Sequence, residues 1–380
     1  MKHSKLLMAV LASSCVLLPA VSAQELLHQI VSPASKLLGS PFDLNGDGAG
    51  DFIYSGLGGR KEVRSGADGS LLLDMSASLQ SFSVAIEPVA DLSISGDGVL
   101  DFLALDLNTF PVVFTAISGA DGAILTQFPF ALPPQDFGAF LSAVGDANGD
   151  GVGDLVAGSF GFENCQFPSG KIVFISGADL SLKIFDSSSS PFNEYPYFWT
   201  VALGDTTGDG LSDFATGRGC GGGLLLFSAA GSMPTFGGFV FGGGSSAPGT
   251  VSGLGDLDGD NINDILLHEP TSNSPNRVVV RSMKDNSILL EILEAGNRLA
   301  GPGDVNNDGY VDILATSALG STSLFSGRNG EQLWTHKRSR ARRVQAMGDI
   351  NGDGRPDIGL EFQNGIQIWS LPAHEARVGF

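Results

Sequence analysis

One short segment rich in Asp and Gly recurs through this chain, and nothing else constrains the fold as strongly. Asp43 to Asp51 reads DLNGDGAGD, and Asp146 to Asp154 reads DANGDGVGD. Further copies run from Asp205 to Asp213, Asp256 to Asp264, Asp304 to Asp312 and Asp349 to Asp357, with a degenerate copy from Ser93 to Asp101. The seven starts lie 50, 53, 59, 51, 48 and 45 residues apart. A fixed period of this size is the mark of a repeat architecture in which each unit stacks on its neighbours.

The spacing within the segment has the logic of an oxygen-lined loop. Side chains at positions 1, 3 and 5 of a tight loop point inward, position 7 adds a backbone carbonyl, and position 9 closes the shell. A donor set of hard oxygens suits Ca²⁺ rather than zinc or copper. The candidate ligands are Asp43, Asn45, Asp47 and Asp51; Asp97 and Asp101; Asp146, Asn148, Asp150 and Asp154; and Asp205, Thr207, Asp209 and Asp213. They continue as Asp256, Asp258, Asp260 and Asp264; Asp304, Asn306, Asp308 and Asp312; and Asp349, Asn351, Asp353 and Asp357. Positions 4 and 6 are Gly or Asn throughout, the residues that best tolerate positive φ. Polar β-turns alone would not require the ninth-position Asp, which is present in all seven copies. An EF-hand is disfavoured, because position 12 holds no Glu and a short apolar run follows each loop instead of a helix.

Those runs, such as Phe52-Ile53, Leu155-Val156 and Ile313-Leu314, read as strands. Downstream of most loops lies a hairpin turn, as in Ser65-Gly-Ala-Asp-Gly69, Ser118-Gly-Ala-Asp-Gly122 and Ser326-Gly-Arg-Asn-Gly330, with weaker versions at Ser176, Ser228 and Ser282. Each unit then holds four short strands: one before the loop, one after it, and two around the hairpin. The expectation is an all-β, seven-bladed β-propeller of four-stranded blades, with a calcium loop between the first and second strand of each blade. After the last loop only two strands remain, so a terminal segment must complete the final blade. Residues 25–31 resemble the fourth strands and are expected to fasten the ring; His374 to Phe380 is the competing segment.

Residues 1–23 read as a signal peptide. Lys2 and Lys5 precede the apolar run Leu6 to Leu18, and Val21-Ser22-Ala23 supplies small residues for cleavage. Residues 24–380 form the propeller as a single domain. The mature product is expected to be periplasmic or extracellular, to carry no membrane span and to act as a monomer. Cys165 and Cys220 either pair in an oxidising compartment or stay as two buried thiols. The net charge of −20 argues against a nucleic-acid partner, and 42% apolar with 16% charged residues is not the composition of a disordered acidic chain.

The repeat resembles the FG-GAP family, the propeller of integrin alpha-subunit N-terminal regions and of many secreted bacterial proteins. The loops carry the resemblance, with Phe137-Gly138, Ala143-Val144-Gly145-Asp146 and Leu155-Val156-Ala157-Gly158-Ser159-Phe160 as the best copy of the flanking motif. The other copies largely lack Phe-Gly, which weakens any transfer of integrin ligand specificity. The resemblance implies structural Ca²⁺ at the matching loop positions, up to seven ions in all. Loop five has four carboxylates and is expected to bind tightest; loop two, with Ser93 and Ser95 in ligand positions, weakest.

No catalytic constellation stands out: there is no HExxH, GxSxG elbow, phosphate loop or CxxC, and His28, His268, His336 and His374 show no ligand spacing. Two groups of residues could meet a partner on the face opposite the calcium loops. One is aromatic: Phe160, Phe162, Phe167, Tyr195, Tyr197 and Trp199. The other is basic: Lys337, Arg338, Arg340, Arg342 and Arg343. Inter-blade packing and a solvated connector are the plain alternatives for the two groups. The expected function is a secreted, non-catalytic binding or adhesion scaffold for an extracellular protein or glycan, with a lectin-like propeller as the alternative and a polysaccharide-active enzyme behind it.

Overall fold

The computed structural model describes residues 25–32, 35–80, 84–90, 92, 94–106, 112–130, 136–161, 170–186, 197–218, 224–228, 235–241, 251–269, 273, 277–317, 320–337 and 341–371. Within them lie seven antiparallel sheets of four strands each, one per repeat. Blade six is typical. Its strands are Arg298–Gly303, Asp312–Thr316, Thr322–Phe325 and Gln332–His336, paired in sequence order.

The strands differ in what surrounds them, and the sequence follows that difference. Asp264–His268 and Asp312–Thr316, second strands of blades five and six, are buried at every residue, because each lies between two neighbouring sheets. They read as continuous apolar runs, as strands covered on both faces do. The outer strand Gln332–His336 has no buried residue and reads as mixed. Side chains from adjacent blades meet in seven apolar clusters, one at each interface. In the cluster between blades five and six, Leu254, Leu266 and Val280 pack with Leu299, Ile313 and Phe325. Fully burying each such side chain stabilises the ring by about 1.5–3 kcal/mol.

The seventh blade is made from both ends of the chain. Arg343–Gly348, Asp357–Phe362 and Gly365–Ser370 supply its first three strands, and Glu25–Val31 pairs antiparallel with the third, from Glu25 opposite Ser370 to Val31 opposite Gly365. Leu37, Phe52 and Tyr54 of blade one pack with Met347, Ile366 and Ile368 of blade seven, which closes the ring. The segment His374 to Phe380 lies outside the described residues.

The first strands end in a β-bulge ahead of each loop in blades three to seven. The residue there is Gly145, Gly204, Gly255, Gly303 or Gly348, each at positive φ. The bulge turns the chain out of the sheet and delivers the position-1 Asp to the loop.

Candidate metal centres

All seven loops lie on one face, between the first and second strands. Positions 4 and 6 hold left-handed backbone throughout, for example φ +82° at Gly149 and +85° at Gly151; the Asn replacements Asn307 and Asn261 take +59° and +66°. This curls the chain around the position-1 carboxylate. Asp43 accepts the N–H of Gly46 at 2.7 Å and of Gly48 at 2.9 Å, and Asp146 accepts those of Gly149 and Gly151 at the same distances. Backbone donors of this kind favour the charged carboxylate. At Asp256 burial pushes the carboxyl up, but the N–H groups of Asn261, Gly259 and Asp260 outweigh it and hold it below the usual range.

The ninth residue plays a different part. Asp51, Asp101, Asp154, Asp213, Asp264, Asp312 and Asp357 open the second strands and are fully buried. In blades one and three to seven one oxygen accepts the position-2 N–H of its own loop, at 2.8 Å from Leu44 and 3.0 Å from Val305; in blade two Asp101 accepts instead the N–H of Leu92, the residue before the loop, at 2.9 Å. The other oxygen, in blades one, two, three and six, accepts the N–H of Gly66, Gly119, Gly177 or Gly327 at 3.1–3.2 Å. Those are the glycines of the Ser-Gly hairpins, so this Asp ties the loop to the turn joining strands three and four. Burial, with neighbouring carboxylates adding to it, raises Asp51, takes Asp154 and Asp264 to about 6, and takes Asp312 and Asp357 to about 7.

Two functions of the Ser-Gly pair escape sequence reasoning, which reads it only as a turn. Its glycine abuts the position-8 carbonyl of the same blade: a Cβ on Gly177 would come within 1.9 Å of the Gly153 oxygen. Its serine reaches the loop itself. Ser326 donates to Asp308 Oδ2 at 3.2 Å, and Ser176, Ser228 and Ser370 donate at 3.3–3.4 Å to Asp150, Asp209 and Asp353. The available signal was the recurrence of Ser at one fixed place in the repeat.

Where the pattern breaks, carboxylate oxygens are stranded. Blades five and seven carry Met283 and Leu371 where blades one, two, three and six have the hairpin glycine, and there Asp264 Oδ1 and Asp357 Oδ1 are buried without a hydrogen bond. Position 3 matters in the same way. In loops one, three, six and seven an Asn donates its amide to the position-5 carboxylate, as Asn45 does to Asp47 at 2.9 Å and Asn351 to Asp353 at 3.2 Å. In loop five Asp258 has no proton to give. Asp260 Oδ2 is buried there without a hydrogen bond, and its nearest positive charge is Lys284 Nζ at 3.5 Å. Among the described residues only Asp256, Asp258 and Asp260 bring three carboxylates within 4.8 Å of one another. Every candidate ligand atom of this cluster is oxygen, and a hard divalent cation fits the three converging carboxylates, Asp260 Oδ2 among them without a hydrogen bond.

The loops also touch each other around the ring. The position-8 N–H of one blade donates to the position-1 carbonyl of the preceding loop: Ser212 to Asp146 at 2.8 Å, Asn263 to Asp205 at 2.7 Å and Gly50 to Asp349 at 2.7 Å. The last of these joins blade one to blade seven.

A family model described as an FG-GAP-like repeat matches residues 304–360, from loop six through loop seven. Residues 304–360 thus carry an FG-GAP-like repeat within a seven-bladed β-propeller. Integrin alpha-V of Gallus gallus is 28% identical over 227 residues, covering 51% of this chain and 21% of that protein, so the chain spans about a fifth of its relative's length. Among solved structures, BBS1N in complex with ARL6DN superposes with a TM-score of 0.59 at 10% identity, covering 93% of this chain and 97% of that one. A rhamnogalacturonan lyase from Bacillus licheniformis gives 0.51 at 14% identity, covering 88% and 71%. At such identities both similarities report the fold alone.

The predicted residues of the opposite face are described only in part. Tyr197 begins the first strand of blade four and Trp199 follows in it; Phe160 lies at the far end of the second strand of blade three. Lys337, Arg342 and Arg343 are exposed at the blade six–seven connection. Ser93, Phe162, Cys165, Phe167, Tyr195, Cys220, Arg338 and Arg340 lie outside the described residues.

Proposed function

We propose that this FG-GAP-like propeller is exported, is held together by Ca²⁺ in its loops, and serves as a non-catalytic binding scaffold for an extracellular partner. The observation that supports the metal assignment is loop five, where three carboxylates converge and Asp260 Oδ2 is buried without a hydrogen bond. The similarity to integrin alpha-V supports the scaffold role. The run from Lys2 to Ala23 supports export, with cleavage before Gln24. Among the described residues no helix is long and apolar enough to cross a membrane.

Bound Ca²⁺ would supply positive charge to the carboxylates that the fold forces together. The chain's part is to hold them: the position-1 Asp through backbone N–H groups, and the position-9 Asp through the loop and the hairpin. Melting curves in calcium and in EDTA test the metal. The Tm is expected to fall on chelation, and an unchanged value overturns the calcium reading. Binding of the purified chain to cell surfaces and extracellular matrix, in calcium and in EDTA, tests the scaffold role. Retention in calcium and loss in EDTA is the expected result.

A further inference from the structure

The seven first strands enclose a central channel of about 710 Å³. Four basic side chains line its end away from the metal loops: Lys36, Arg298, Arg342 and Arg343. They come from the starts of the first strands of blades one, six and seven, residues that are far apart in sequence. Two acids also line the channel, Glu87 and Glu361, and both are buried. Glu361 is already engaged: its Oε1 accepts the N–H of Leu37 at 2.9 Å, and Arg343 lies 3.9 Å from it. The side chains of Lys36, Arg298 and Arg342 form no ion pair among the described residues. Such a cluster stands out in a chain of net charge −20.

The acidity of the metal loops does not cancel this patch. Strands of six residues span about 20 Å, so the loops sit more than two screening lengths away at about 8 Å each. Behind the basic rim the wall is bounded by Val201 and by the channel-side edges of Leu141, Val251, Leu299 and Val344, which otherwise pack between blades, with Phe140 as its only aromatic among the described residues. Sugar recognition draws on aromatic platforms, whereas this wall suits aliphatic side chains. Two polar atoms of the wall, Thr200 Oγ1 and Gln345 Oε1, are buried without a hydrogen bond.

We infer that the basic mouth of the channel docks an acidic peptide segment, with carboxylates on Lys36, Arg298 and Arg342 and aliphatic side chains directed into the channel. The inference rests on the scaffold reading and gives its ligand a chemical class. The test uses the full mature chain in calcium and a labelled short peptide of alternating Glu and Leu, followed by fluorescence anisotropy. Binding is expected to weaken about tenfold in the double variant Arg298→Gln/Arg342→Gln and on raising salt. It is expected to persist in Arg298→Lys and in Arg328→Gln, which removes a charge from the hairpin on the metal-loop face. Melting curves show that each variant is folded. Absence of peptide binding, equal binding of the Gln/Leu peptide, indifference to the double variant, or preference for oligogalacturonate each overturns the inference. None of these touches the scaffold reading, whose own test is capture on cell surfaces and matrix.

Discussion

At the scale of single residues, the two recurring aspartates meet opposite surroundings. Position-1 aspartates sit in the loops among backbone N–H groups, while position-9 aspartates are buried, and burial raises Asp51, Asp154, Asp264, Asp312 and Asp357. The sign of the pH dependence follows. A carboxylate whose folded pKa is raised binds more protons folded than unfolded, so its contribution is fully present below the unfolded value near 4 and is lost as pH rises through about 6 to 7. The metal-free chain is therefore expected to melt at a higher temperature at pH 5.5 than at pH 8. His336, lowered by burial, pulls the other way at the acid end, but it is one group against several. Calcium removes the penalty of the charged form, so the trend in calcium should reverse, since protons compete with the ion. Parallel Tm series in EDTA and in calcium check both slopes. The hairpin glycine gives a second residue-level prediction. Gly177→Ala would place a methyl against the Gly153 carbonyl and should cost about 2 kcal/mol, read from the urea midpoint.

Within a blade, the loop and its hairpin form one unit, and loop five is the copy whose carboxylates are least satisfied by the chain's own donors. Asp258→Asn would supply the amide donor that Asn45 and Asn306 provide in their loops. Two effects should appear together: a higher Tm in EDTA, and weaker calcium binding at one site by calorimetry. A variant that binds as tightly as the parent, with an unchanged Tm in EDTA, would remove loop five from its place at the head of the ranking. The spacing of Asp256, Asp258, Asp260 and Asp264 made this loop's rank visible in the sequence, because four carboxylates at odd positions have a direct electrostatic meaning. The stranded oxygen of Asp264 was not visible. It belongs to the strand after the loop, and only the register of the blade shows which N–H groups reach it. Likewise the strands on either side of each loop were legible from their apolar runs, whereas Ser326 looked like turn chemistry until the fold set it 3.2 Å from Asp308.

For the whole molecule, the seven interfaces are similar in kind, so the ring is as strong as its closure. Sequence period fixes the number of blades, since each unit supplies one sheet. It does not say which distant strands adjoin, and so Lys36, Arg298 and Arg342 could not be grouped before the ring was closed. The loop-to-loop hydrogen bonds add a second belt on the Asp-loop face, with Gly50 and Asp349 fastening blade one to blade seven. The strand Glu25–Val31 supplies the remaining fastening, on the outer edge. A chain beginning at Ala34 loses that strand and exposes the edge of Gly365–Ser370, including the apolar face of Ile366 and Ile368. It should unfold at a lower temperature, and it should do so even in saturating calcium, because metal in the loops cannot replace an outer strand. Calorimetry of the two chains, each with and without calcium, separates the fastenings. Closure by the N-terminal strand predicts a Tm deficit that calcium does not erase, and a shortened chain that melts with its parent in calcium would show that the ring closes without it.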